Sequence, residues 1–289
     1  MKTIQILFLL FFINTNVNAQ HRGLFILDEN GGTTLASNEK RIALVIGNEN
    51  YRNGWLPLNN AVNDANTMSE ALLNCGFEVT TITDATHSQF LDAIRSFKAK
   101  IQGTNTVALF YYTGHGLKEN IENYLIPVDD TSKCLNEIAY NCMKISSIQE
   151  QLSEDGAAIN IIIVDACRDI LLPFTCSGSN RRGSNSVFTE FKAKGSYIAF
   201  STTPGQTVED SNKGSNSLYT TVLSKAIQQE GLKIEDVFKE VHRELYKIGQ
   251  ETWVSNGYSG DFYFKYEVKG EIKDSDNDGI IDSKDQCPY

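Results

Sequence analysis

NIIIVDACRDI, residues 160–170, sends an apolar run straight into Asp165, Ala166, Cys167, Arg168 and Asp169. Four consecutive Ile and Val residues with no polar alternation read as a strand buried on both faces, the pattern of a parallel sheet. A buried structural cysteine is normally surrounded by packing partners. Here the thiol follows the strand between two carboxylates and beside a guanidinium, so either the strand emerges into a working site or the charges solvate a loop.

Working outward, the same grammar repeats. RIALVIGN (41–48), FEVTTIT (77–83), TVALFYYTGHG (106–116) and GSYIAFSTT (195–203) are further strands, and DFYFKYEV (261–268) reads as the last one. Between the first two, Ala61, Ala65, Met68, Leu72 and Leu73 recur at helical spacing, and Cys75-Gly76 stops the helix. Phe90, Ile94, Phe97 and Ile101 share a second helical face, and further helices are expected over 218–228 and 234–248. Strands alternating with helices predict an α/β fold, a three-layer α/β/α sandwich around a mostly parallel central sheet.

The 289 residues carry 26 Lys and Arg against 36 Asp and Glu, a net charge of −10, and no basic run. That balance argues against a nucleic-acid partner. The first 19 residues, MKTIQILFLLFFINTNVNA, combine Lys2, an apolar block and a small-residue end, the pattern of a signal peptide cleaved after Ala19. The block is too short to span a bilayer, so no transmembrane helix is expected and the protein is read as secreted or periplasmic. Residues 20–39 form an N-terminal extension, 40–268 the main domain and 269–289 a separate Asp-rich segment. Six cysteines are too few for a disulfide-built scaffold. Cys134 and Cys142, eight positions apart, are candidates for a bridge, Cys75 reads as a small core residue, and the pairing is not fixed by sequence.

Active sites of open parallel sheets form at the carboxyl ends of the strands. One strand delivers His115 between Gly114 and Gly116; another delivers Cys167, 52 positions later. Glycines beside the histidine would let a substrate backbone approach the imidazole. His115 can take the thiol proton of Cys167 and later protonate a leaving amine. The amides of Gly116 and Cys167 are candidate oxyanion donors.

With KRIALVIGNENY, YYTGHG, NYLIPVD and DACRD in place, the sequence resembles the caspase-like cysteine peptidases (family C14, clan CD), in their paracaspase–metacaspase branch, over residues 40–268. The order His then Cys at about fifty residues fits the caspase spacing. The resemblance implies a catalytic dyad of His115 and Cys167 and peptide or protein substrates. Caspases carry Gln-Ala-Cys-Arg-Gly and recognise aspartate, whereas this chain has Asp-Ala-Cys-Arg-Asp. Asp165 reverses the sign of that pocket, and a buried carboxylate calls for a cationic partner. Asp64 and Asp210 match the other acids of the paracaspase S1 pattern, so the resemblance implies cleavage after Arg, with Lys as second choice. It also makes Arg181 and Arg182, in the Ser/Gly-rich loop 176–186, candidate self-cleavage positions.

The acidic tail places Asp274, Asp276, Asp278, Asp282 and Asp285 at positions 1, 3, 5, 9 and 12 of a loop, with Gly279 at 6 and the Ile280 carbonyl at 7. This is calcium-loop spacing with Asp for Glu at the last position, so Ca²⁺ is the expected cofactor there; the dyad needs none. The segment resembles a thrombospondin type 3 repeat. Two other function classes share these features: a catalytically silent binding module on the same fold, and a calcium-dependent surface or scaffold protein. Oligomeric state is left open.

Overall fold

The computed structural model describes residues 24–27, 33–36, 39–102, 105–119, 122–154, 157, 159–166, 195–202 and 214–266. It divides into two units, Met1–Ser37 and Asn38–Tyr289. In the first, β1 (Leu24–Leu27) and β2 (Thr33–Ala36) pair antiparallel. The signal-peptide, loop 176–186 and tail expectations lie outside the described residues, as do Cys167, Arg181, Arg182 and Asp210.

In the second unit the elements follow the order β3 (Lys40–Gly47), α1 (Ala61–Asn74), β4 (Glu78–Thr83), α2 (His87–Lys100) and β5 (Thr106–Thr113). Then come β6 (Gly116–Glu119), β7 (Glu122–Leu125), α3 (Leu135–Asn141), β8 (Met143–Lys144), α4 (Ile145–Ser153) and β9 (Ile159–Asp165). The series closes with β10 (Ser196–Phe200), α5 (Leu218–Ala226), α6 (Ile234–Tyr246) and β11 (Trp253–Asn256). Six strands form one sheet in the order β11-β10-β9-β5-β3-β4, parallel except for the antiparallel edge β11. The chain runs from β3 outward to β4, then returns to β5 on the other side of β3. A topological switch therefore lies between β3 and β5, where α/β sheets open a crevice at their carboxyl edge.

The apolar runs are buried on both faces, as their lack of alternation required. Ala43 and Val45 of β3, with Ile161 and Ile163 of β9, pack under α1, α5 and α6 through Met68, Leu223 and Val237. Ile42, Leu44 and Ile46, with Ile162 and Val164, pack on the opposite side against Phe90, Phe97 and Ile148 of α2 and α4. That is the expected three-layer sandwich. α2 starts with a reciprocal capping box: Gln89 N–H donates to Thr86 Oγ1, and Thr86 N–H donates to Gln89 Oε1. At Gly47 a Cβ would sit 2.6 Å from Ala65 Cβ, so glycine there lets α1 close onto the end of β3.

Two sequence expectations are corrected. Within 261–266 only Tyr263 forms an isolated bridge, to Lys233, and the sixth strand of the sheet is β11 instead. The Phe-Tyr-Phe alternation has another cause: Phe262 and Phe264 are buried, while the backbone between them is gripped from the side. Arg41 Nη2 donates to Tyr263 O at 2.8 Å, and Nη1 donates to Phe264 O at 2.7 Å and Cys75 O at 3.0 Å. Its guanidinium also lies over the Phe77 and Phe262 rings, so one buried arginine ties this segment to the start of the sheet. The second correction concerns cysteine. Cys134 is disulfide-bonded but Cys142 is a buried free thiol, so the two do not bridge. They cap opposite ends of α3, and eight helical steps hold their Cα atoms about 12 Å apart, beyond disulfide reach. Cys75 is a buried thiol that donates to Ile227 O, as a core residue would. The short elements β6 to β8, α3 and α4 carried too little periodicity to be read in advance.

Candidate active site

β5 and β9 are neighbours, and their register sets the site. Thr113 pairs with Asp165 as the last rung, and Gly114 N–H donates to Asp165 O at 3.3 Å. His115 follows Thr113 by two residues, as Cys167 follows Asp165 by two. Ala166, the last described residue before Cys167, is buried and its carbonyl accepts from Thr202 Oγ1 at 3.4 Å.

The backbone of His115 is clasped by two buried tyrosines. Its N–H donates to Tyr51 Oη at 2.7 Å, and Tyr112 Oη donates to its carbonyl at 2.8 Å. Because Tyr112 gives its proton to carbonyls, Tyr51 donates across the 3.1 Å contact between the two hydroxyls. Burial pushes both phenols upward, so they remain protonated donors. A Cβ at Gly114 would lie 2.6 Å from Tyr51 Oη and 2.7 Å from Tyr112 Oη, at φ +151°. The glycine before the histidine is therefore required by this clasp, whereas the sequence suggested substrate access.

The imidazole points into the loop before α1. Its Nε2 lies 2.8 Å from Leu56 O. A carbonyl only accepts, so Nε2 carries the hydrogen and, in the neutral ring, Nδ1 is the basic nitrogen. Tyr51 and Trp55 pack against the ring, with centroids at 4.4 and 5.5 Å. Gly116 starts β6 opposite Leu125, and the Ile126 N–H bond to His115 O makes them a non-hydrogen-bonded pair. In such a pair the Gly116 N–H points away from β7.

Asp64 and Asp165 come together beside the strand ends, on Ser217. Asp64, in the first turn of α1, is 2% exposed. Its Oδ1 accepts Ser217 N–H at 2.8 Å, and its Oδ2 lies 3.4 Å from Thr113 Oγ1. Asp165 Oδ2 accepts Ser217 Oγ at 2.5 Å and Thr220 Oγ1 at 3.0 Å, with Ser201 as a further donor. Thr220 Oγ1 in turn contacts Tyr111 Oη at 2.6 Å. These donors are all neutral. Burial, then the charge of Asp165, pushes the Asp64 carboxyl up to about 8; burial also raises Asp165. The two behave as one pair that resists carrying two negative charges.

Sequence reasoning placed His115, Gly116 and Asp165 at strand ends and Asp64 on a helix face turned to the sheet; in the structure Asp165 and Asp64 meet beside Thr113, and His115 and Gly116 follow that strand end. Sequence reasoning missed the Leu56 carbonyl, Tyr51, Trp55 and Ser217. A backbone carbonyl has no residue signature. The Asn53-Gly54 dipeptide was the available signal for the loop: both residues have positive φ, and Trp55 N–H closes the turn onto Arg52 O.

Comparison with known proteins decides the family. The caspase-domain family model matches residues 40–267. The chain belongs to this family. The human Mucosa-associated lymphoid tissue lymphoma translocation protein 1 is 27% identical over 128 residues, 44% of this chain and 15% of that protein. Its homolog from Mus musculus is 27% identical over 142 residues, 48% of this chain and 16% of that protein. The match thus spans a small part of each relative and is distant. The mostly parallel six-stranded sheet flanked by helices is consistent with the caspase fold. Among the described residues no helix is long and apolar enough to cross a membrane, and no cluster of three or more His, Cys, Asp or Glu could hold a metal ion.

Proposed function

We propose that this caspase-domain protein is a cysteine endopeptidase that hydrolyses peptide bonds after Arg, and less well after Lys. The reading of specificity is supported by one observation above others: Asp64 and Asp165, from two separate elements, meet on Ser217 with only neutral donors around them. Two such carboxylates repel, and a guanidinium between them would relieve the repulsion through charge-assisted hydrogen bonds. Asp210 is the proposed third acid. The alternative of a pocket for aspartate would set the substrate's carboxylate against those of the pocket.

The chemistry follows from the dyad. With Nε2–H held by Leu56 O, Nδ1 of His115 accepts the Cys167 thiol proton. The thiolate attacks the carbonyl carbon after the basic residue, and a C–S bond forms. Negative charge on the carbonyl oxygen is met by the Gly116 and Cys167 amides. The C–N bond breaks as His115 returns the proton to the leaving amine, and water then hydrolyses the acyl-enzyme by the same route. A fluorogenic peptide panel tests this. Turnover of Arg substrates, absent in Cys167→Ala and His115→Ala, supports it; preference for Asp or large apolar residues overturns it.

We further propose export through residues 1–19, checked by a mature N-terminus at Gln20, and self-cleavage at Arg181 or Arg182. Fragments from wild type but not from Cys167→Ala support self-cleavage, and an intact band in an active preparation excludes it.

A further inference from the structure

The segment that meets the His115 imidazole is held near its two ends by backbone bonds, Arg52 N–H to Val128 O and Leu58 N–H to Glu49 O, and between them by one buried side chain. Of residues 52–59 only Trp55 is buried, at 4% exposure, while Leu56, whose carbonyl takes the Nε2 hydrogen, is 76% exposed. The Leu56 side chain therefore contributes no packing that could hold its own carbonyl in place. The neighbouring indole does that: it packs in a buried cluster with Tyr51, Tyr124 and Ile138, and its Nε1 donates to Asp130 Oδ2 at 2.8 Å inside the protein.

Asp130 is itself built in. Its Oδ1 accepts Ser132 N–H at 3.2 Å and Ser132 Oγ at 2.7 Å, and Ser132 Oγ accepts Asn141 Nδ2 at 3.0 Å. The buried Cys142 thiol is a further hydrogen-bond partner of Asp130. Asn53 Nδ2 donates to the carbonyls of both Asp129 and Asp130, and Arg52 N–H to Val128 O, so the turn is tied to the backbone of residues 128–130. Satisfying a buried indole N–H takes any one acceptor. A carboxylate fixed by three other donors is more than that need requires, and it gives the ring one direction.

We infer that Trp55 and Asp130 are positioning residues for the histidine: their buried bond fixes the Leu56 carbonyl under Nε2 of His115, and so fixes the tautomer and direction of the catalytic base. This rests on the reading of His115 as the general base. It adds a fixed chain, Asp130 to Trp55 to the Leu56 carbonyl to His115, in which only the last member touches the reacting atoms. Its members are distinct from Asp64 and Asp165, which would bind substrate.

Trp55→Phe keeps an aromatic ring and removes the donor; Asp130→Asn turns an amide toward the indole and cuts the bond from the other end. On an Arg peptide each should lower kcat by about tenfold with KM unchanged, since misplacing a catalytic group costs rate and spares binding. The acid limb of kcat/KM should move to lower pH, because an imidazolium without its carbonyl acceptor is less stabilised. The double variant should be no slower than either single one, both having lost the same bond. Wild-type kcat and an unmoved acid limb in Trp55→Phe overturn the proposal, as does a rise in KM at constant kcat. Turnover that survives His115→Ala, or an inactive wild type, defeats the functional reading instead. In that case histidine-ring NMR decides: the His115 Nε2–H should lose exchange protection in Trp55→Phe, and unchanged protection overturns the proposal.

Discussion

Asp64, early in α1, and Asp165, at the end of β9, are bound to opposite sides of one residue. Ser217 gives its N–H to Asp64 and its O–H to Asp165. Ser217 also caps α5, accepting from Thr220 N–H at 3.0 Å. The acid pair is therefore fixed to the start of α5, and its geometry is set by the fold.

Replacing one acid should trade specificity for stability. Asp64→Asn is expected to lower kcat/KM on Arg peptides by about a hundredfold or more, the usual scale for losing one partner of a buried charged pair. An unfolded Asp ionises near 3.9, and the folded Asp64 near 8. Between those values the folded state holds more protons than the unfolded one, so stability falls as pH rises. Asn removes that loss. The melting temperature of Asp64→Asn should exceed wild type by a margin that grows from pH 5 to pH 8, which a thermal denaturation series at several pH values measures.

Substrate binding should carry the same titration with the useful sign. A guanidinium favours two ionised carboxylates, and the empty pair keeps a proton well above the ordinary carboxylate range. KM for an Arg peptide should fall as pH rises from 6 toward 8. Asp64→Asn should flatten that dependence. A KM independent of pH in wild type would contradict it.

Gly114→Ala should damage both fold and rate. The new methyl would meet the Tyr51 and Tyr112 hydroxyls at a backbone angle that L residues rarely adopt. A loss of about 2–3 kcal/mol in denaturant unfolding is expected, with kcat reduced in the folded fraction because the His115 clasp must shift.

The Asp-rich segment should bind calcium through Asp274, Asp276, Asp278, Asp282, Asp285 and the Ile280 carbonyl. Isothermal calorimetry on the whole chain should give a Ca²⁺ binding heat that Asp276→Ala removes or weakens strongly. Equal heats for the two proteins would remove the site. Peptidase assays with and without a chelator would show whether the ion reaches the dyad.

The sequence by itself determined the sandwich and the edge at which to look. Unbroken Ile and Val runs are what a doubly covered parallel strand demands, so β3, β5 and β9 were legible, and with them the ends that present His115 and Asp165. It failed at 261–266, where period-two aromatics reflect packing around Arg41, and at Cys134 and Cys142, which a helix separates. Only the tertiary structure decided how the site is held. The Leu56 carbonyl reaches His115 across 59 residues and Ser217 reaches Asp64 across 153. Such contacts use backbone groups and single hydroxyls, which leave no periodic trace in a chain. They become readable only when the sheet sets the strand ends, the loop before α1 and the start of α5 side by side.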